Sequence, residues 1–169
     1  MSGLGLSTPQ PDPLPSVTAA ATAETAAVLN RGASWMFWIA GLSIVNAVIL
    51  LSGSNWVFLG GLGVTYVALI FAVKLGSTQV ALIAAFATLW ATGFFAVLGY
   101  FGRKGQQWAF ITGMALYVVD LLLVLYLQAW LMAAFHAYIL FRLYQGYASC
   151  NTIHAFNKQY SGSGMPLQP

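Results

Sequence analysis

The stretch WAFITGMALYVVDLLLVLYLQAWLMAAFHAYILFRLYQG, residues 108–146, decides how this chain folds. It is too long for one comfortable membrane crossing, which takes about 20 residues at about 1.5 Å each, but it holds two short ones. No Pro or Gly marks a turn inside it. The division rests on length, on Gln128, and on Tyr126 and Trp130, aromatic residues of the kind that collect at a membrane–water boundary. With Gln128 at the apex the stretch reads as an antiparallel helical hairpin. Asp120 then lies eight residues before the apex and His136 eight residues after it, so the two come to nearly the same depth. That is the geometric precondition for a carboxylate–imidazolium pair or a neutral hydrogen bond. A lone carboxylate in hydrocarbon costs roughly 2.5–3.5 kcal/mol on insertion scales, so Asp120 needs a partner or a function.

The rest of the chain has the same character. Hydrophobic residues make up 60% and charged residues 5% of 169 residues, and the mean hydropathy is +0.79. A soluble domain carries roughly 25% charged residues, so lipid is the solvent this composition suits. The length leaves room for one membrane domain of four to six spans and no second domain. A net charge of +3 is too small and too scattered to suggest nucleic acid; its meaning here is orientation. The single cysteine, Cys150, excludes an intramolecular disulfide. Its place beside the last apolar run permits S-palmitoylation, although a plain interfacial thiol is the simpler reading. The amino terminus lacks the basic, apolar and small-residue regions of a secretory signal, so the first span is expected to do the targeting.

Working outward, Met1–Pro15 carries four alternating prolines and reads as an extended, solvated segment. Ser16 to Leu29 is alanine-rich and predicts a short interfacial helix capped at Ser16. These make residues 1–32 an amino-terminal tail, 33–147 an all-α transmembrane bundle, and 148–169 a polar, flexible carboxyl-terminal tail. Before the hairpin come three further apolar runs: 34–52, 56–74 and 80–101. Gly60, Gly61 and Gly63 in the second would weaken a helix in water, but in a bilayer they let another backbone approach, and they mark a packing face. Five of the six tryptophans (35, 38, 56, 108 and 130) fall at run edges, while Trp90, mid-run, reads as ordinary packing.

Five spans place Arg103, Lys104, Arg142 and Lys158 on one side and Arg31 and Lys74 on the other. The positive-inside rule then puts the carboxyl terminus in the cytoplasm and the amino terminus outside. If residues 130–146 instead form an interfacial amphipathic helix, four spans remain and both tails share a side.

WIAGLSIVNAVILLSGSNWVFLGGLGVTY, GRKGQQWAFITGMALYVVD and AFHAYILFRLYQGY resemble segments of an uncharacterised family of small bacterial multi-span membrane proteins, over Trp35 to Tyr147. The resemblance implies five spans and a bacterial inner membrane, and no activity. Relatives carry a Gly-Asp-Trp type turn between the last two runs, where this chain has Leu127, Gln128, Ala129 and Trp130.

Ser43 and Asn46 share a face of the first run, and Tyr117 and Asp120 share a face of the fourth. Asn46, Tyr117, Asp120 and His136 therefore form a candidate intramembrane polar cluster, whose plainer role is to lock helices together. Ala129, Ala133 and Ala137 recur every four residues on the fifth run, and Ala84, Thr88 and Thr92 on the third, as two close-approach stripes. Metal hydrolysis is set aside: one membrane histidine, the distal His154 and a single buried carboxylate do not make a three-ligand site, and HExxH is absent. Neither a two-histidine haem site, a nucleophile elbow nor a phosphate loop is present. No cofactor is called for. The expected role is structural or accessory, with the lipid bilayer and either a second copy or a larger membrane complex as partners. The alternative is a small transporter or proton conductor using Asp120 and His136.

Overall fold

The computed structural model describes residues 14–52, 62–76 and 78–160. Most of the proline-rich segment, all of residues 161–169, and Trp56, Gly60 and Gly61 of the second run lie outside them. The elements among the described residues are all helices: α1 (Leu14–Leu51), α2 (Gly63–Leu75), α3 (Thr78–Arg103), α4 (Gln107–Tyr126) and α5 (Trp130–Tyr160). Among the described residues three stretches are long and apolar enough to cross a membrane: Ala21–Ile49 of α1, Leu82–Arg103 of α3, and α4. α2, at 13 residues, is only about 20 Å long. The apolar part of α5 carries His136, Arg142 and Gln145, which lower its hydropathy.

α1 is the central element, packed along both α3 and α5, while α4 lies along α5 and α3. Leu29, Ala33, Met36, Ile39 and Ala40 recur at three- and four-residue spacing on α1 and form its buried stripe. They meet Phe95 and Leu98 of α3, Phe110 and Tyr117 of α4, and Ile139 and Leu143 of α5. The boundary expected at residue 32 is not a break: α1 runs through it, because Gly32 and Gly146 bring α1 and α5 into backbone contact there. A Cβ on Gly32 would lie 2.6 Å from the Gly146 Cα. Trp90 is 66% exposed, stacked only on Phe94 of its own helix, so it faces outward rather than packing inside.

The hairpin turns where Gln128 predicts. Gln128 has φ +58°, its N–H donates to the Leu125 carbonyl, and the Ala129 N–H donates to Val124. This is a Schellman closure with glutamine in the left-handed position glycine usually fills. The α3–α4 turn closes the same way on Gly105, at φ +72°. α5 continues past residue 147, the expected start of the flexible tail, to Tyr160. Its extension is tied down by the Cys150 Sγ–H and the His154 Nε2–H, donating to the Gly105 carbonyl at 2.9 and 3.0 Å.

That contact revises the reading of Cys150. Its side chain is buried, out of reach of an acyltransferase, and burial pushes its thiol up. A raised thiol has less thiolate at a given pH, and the thiolate is the nucleophile. Maleimide labelling at pH 7 in mild detergent is expected to be at least about tenfold slower than in SDS; equal rates would contradict the burial.

The ends of the bundle also sort differently from the expectation. Arg103 Nη2 donates to Ser34 Oγ at 3.1 Å, its guanidinium sits 4.6 Å from the Phe37 ring centroid, and Arg31 lines one groove with Arg142. Arg31 therefore shares an end with Arg103, Lys104 and Arg142, and not with Lys74. The physical reason lies in α2. Helix α1 runs from that end to Leu51, but Leu62 is hydrogen-bonded to Ser43, about 12 Å back along α1. α2 thus starts partway along the bundle, level with Ser43 of α1.

Candidate functional site

The first amides of a helix have no partner within it, and α2 begins inside the protein without a local capping residue. Leu62 precedes the helix and offers no side-chain oxygen. Other helices supply the acceptors. Ser43 Oγ of α1 accepts from the Leu62 N–H at 2.9 Å and donates to the Ile39 carbonyl. Asp120 of α4 accepts from the Gly63 N–H through Oδ2 at 2.7 Å and from the Val64 N–H through Oδ1 at 2.8 Å. Thr65 closes the turn by donating its hydroxyl to the Leu62 carbonyl at 2.7 Å. A carboxylate is well matched to a helix start, where the unpaired amides carry partial positive charge.

Gly63 is what lets the carboxylate in. A Cβ there would lie 2.7 Å from Val124 Cγ2 and 3.4 Å from Asp120 Oδ1. Gly63 thus sits where α2 and α4 come close, while Gly60 and Gly61 lie outside the described residues.

His136 of α5 completes the site. Its Nε2 is 3.0 Å from Asp120 Oδ2 and its Nδ1 is 2.8 Å from the Met132 carbonyl. Both residues are buried, at 4% and 0% exposure. A carbonyl oxygen only accepts, so Nδ1 carries a hydrogen. Nε2 then either donates to a carboxylate, as an imidazolium, or accepts from a protonated Asp120. Both arrangements hold one shared proton and no net charge, and either lowers the cost of burying the two groups. The Tyr117 ring lies flat on the imidazole, with centroids 4.6 Å apart and planes 7° from parallel. Its edge meets Phe95.

Of the expected cluster, His136 touches both Asp120 and Tyr117. Asn46 is buried on α1 and makes an interaction of its own, one turn beyond Ser43. Ser43 reaches the site through the start of α2. Of the small residues, Ala133 is buried with Val124 and Met132, Ala129 is half-buried beside them, and Ala137 is exposed, so the alanine stripe rotates out of the α4–α5 seam. Ala84, Thr88 and Thr92 are all buried, as one face of α3. The hydroxyls of Thr92 and Tyr117 are buried with no hydrogen-bond partner among the described residues.

The backbone amides of Gly63 and Val64, and Thr65, were not among the expected site residues. The signal in the sequence is the one Asp left over in hydrocarbon; the missing cap shows only when the helix starts at Gly63, because Ser54 and Asn55 precede the apolar run 56–74. In comparisons with known proteins, no family model matches the chain, and no curated protein or solved structure is detectably similar to it.

Proposed function

We propose that this chain is an integral membrane protein in which α1, α3, α4 and α5 cross the bilayer and α2 is a half-span, entered from the Lys74 side. Its role is structural or accessory, as a helical unit that packs with itself or beside a larger membrane complex. The outward faces support the membrane reading: Leu82, Ile83, Phe86, Leu89 and Trp90 of α3 are each about two-thirds exposed, a continuous apolar surface that suits lipid. Non-helical backbone at membrane depth is tolerated only where protein satisfies it, and Ser43 and Asp120 do so at the start of α2. Four crossings gather Arg31, Arg103, Lys104, Arg142 and Lys158 on one side against Lys74 on the other. The positive-inside rule then puts both termini in the cytoplasm. Reporter fusions at the two ends are expected to give cytoplasmic signals from both; signals on opposite sides would restore the five-span alternative.

The observation that carries the structural role is the closed hydrogen bonding of Asp120 and His136. Each polar atom of the pair is engaged by the protein, which is the condition of a lock. A second reading, proton transfer, is favoured by the shared proton and by the two unpartnered hydroxyls, on Tyr117 and Thr92. Asp120→Asn with His136→Ala separates them. The lock reading expects a lower unfolding midpoint in detergent and no change in pH-driven flux across reconstituted vesicles. Abolished flux at an unchanged midpoint would establish the transfer role instead.

A further inference from the structure

Arg31 and Arg142 line a groove of about 400 Å³ between α1 and α5, at the basic end of the bundle. Gln145 accepts from Arg142 Nη1 at 2.8 Å, and Arg31 Nε lies 3.4 Å from the Ala27 carbonyl. Among the described residues, no carboxylate comes within ion-pair distance of either guanidinium. Among those residues most of their donors remain open, both positive charges line the one groove, and a guanidinium fork fits the paired oxygens of a phosphate. The walls are of the other kind. Phe141 and Tyr144 are 56% and 58% exposed and continue the groove along the apolar face of α5, with Val28 opposite on α1.

We propose that this groove binds an anionic phospholipid, its phosphate between Arg31 and Arg142 and an acyl chain over Phe141 and Tyr144. The assignment rests on the membrane reading above. It goes beyond it in requiring a held lipid and not only a basic rim. Charge decides the class: a zwitterionic headgroup brings its own cation to a site that already holds two, whereas phosphatidylglycerol brings net negative charge. Depth agrees. Arg142 lies one helical turn inside Gly146, where α5 touches α1, so the guanidiniums stand at the boundary between the apolar stretch and the polar end.

Purified full-length protein in mild detergent, given equal amounts of phosphatidylglycerol and phosphatidylcholine, is the test, with native mass spectrometry reading the retained lipid. Phosphatidylglycerol is expected to be retained about tenfold over phosphatidylcholine, and to raise the thermal midpoint. Arg31→Gln with Arg142→Gln is expected to remove the preference. Lys104→Gln, a charge change at the same end outside the groove, is expected to keep it. Should the double variant fail to fold, Arg142→Lys keeps the charge, loses the fork, and is expected to bind less. Equal retention of the two lipids, or a preference surviving the double variant, overturns the proposal. A midpoint shift of the same size with inorganic phosphate alone would mean a free-anion site and overturn the lipid assignment. Failure of the membrane reading is visible separately, because carbonate would then extract the protein from membranes whatever lipid it retained.

Discussion

Replacing Asp120 with alanine is expected to lower the unfolding free energy in mild detergent by about 3 kcal/mol, within the range for breaking a buried charge pair. Single interhelical hydrogen bonds in membranes average only about 0.6 kcal/mol, because an unfolded helix in lipid finds other partners. That average does not govern here, since Asp120 carries three interactions at once. Two of them, to Gly63 and Val64, satisfy helix-start amides that no residue of α2 can reach. Each amide left unpaired costs about 1–3 kcal/mol, and His136 loses its partner as well. Asp120→Asn discriminates further. The amide keeps one acceptor oxygen, so one of the two N–H bonds survives, but in either orientation its NH₂ group faces the other N–H donor. Roughly half the alanine effect is expected, about 1.5 kcal/mol. Denaturant midpoints for the wild type and both variants check the order; an alanine variant within error of wild type would mean that the carboxylate does not hold α2.

What was legible from the sequence depends on whether it was encoded locally or across helices. The hairpin at Gln128 and the matched depths of Asp120 and His136 follow from counting residues along two adjacent helices, and the observed 3.0 Å contact needs nothing more. The turn itself was harder to see. Its left-handed position is filled by a glutamine, a conformation that non-glycine residues adopt at a cost of about 1–2 kcal/mol, and so it carries no glycine marker. The second run is less legible for a deeper reason. Hydropathy treats 56–74 as one span, because apolar residues read alike whether a segment crosses the bundle or starts halfway through it. The half-length of α2 is set by Ser43 and Asp120, which lie 19 and 57 residues from the amides they accept from. No local window contains both. The charges depend on the same count: five crossings place Arg31 opposite Arg103, whereas Ser34 and Arg103 are hydrogen-bonded at one end of the bundle. Helices α1 and α5 run through residues 32 and 147 for a similar reason, since Gly32 meets Gly146 and Cys150 meets Gly105 through contacts that composition does not report.

Gly32→Ala is expected to destabilise the bundle by about 2 kcal/mol, against the sign that helix propensity alone would give. Alanine is better than glycine inside a helix by about 1 kcal/mol in water. At position 32 that gain is outweighed, because the new Cβ would lie 2.6 Å from the Gly146 Cα, 3.0 Å from its nitrogen and 3.2 Å from the Arg142 carbonyl oxygen. These are backbone atoms, which cannot rotate aside as a side-chain tip can. α1 and α5 must separate, and overpacking of this kind costs about 1–3 kcal/mol before any lost contacts along the seam. Met36, Ile39, Ile139 and Leu143 lie along those two helices and would loosen together. Gly93→Ala is the matched control. Its Cβ would meet nothing within 4 Å, so the same chemical change is expected to be neutral or stabilising by up to about 1 kcal/mol. The comparison is between two identical substitutions in helices of one protein, read from unfolding midpoints in the same detergent. Propensity contributes equally to both and cancels, and the difference isolates the backbone contact between α1 and α5. Indistinguishable midpoints would mean that α1 and α5 lie far enough apart at Gly32 and Gly146 to admit a methyl group, and the close backbone contact between them would be lost as an explanation of how the two helices pack.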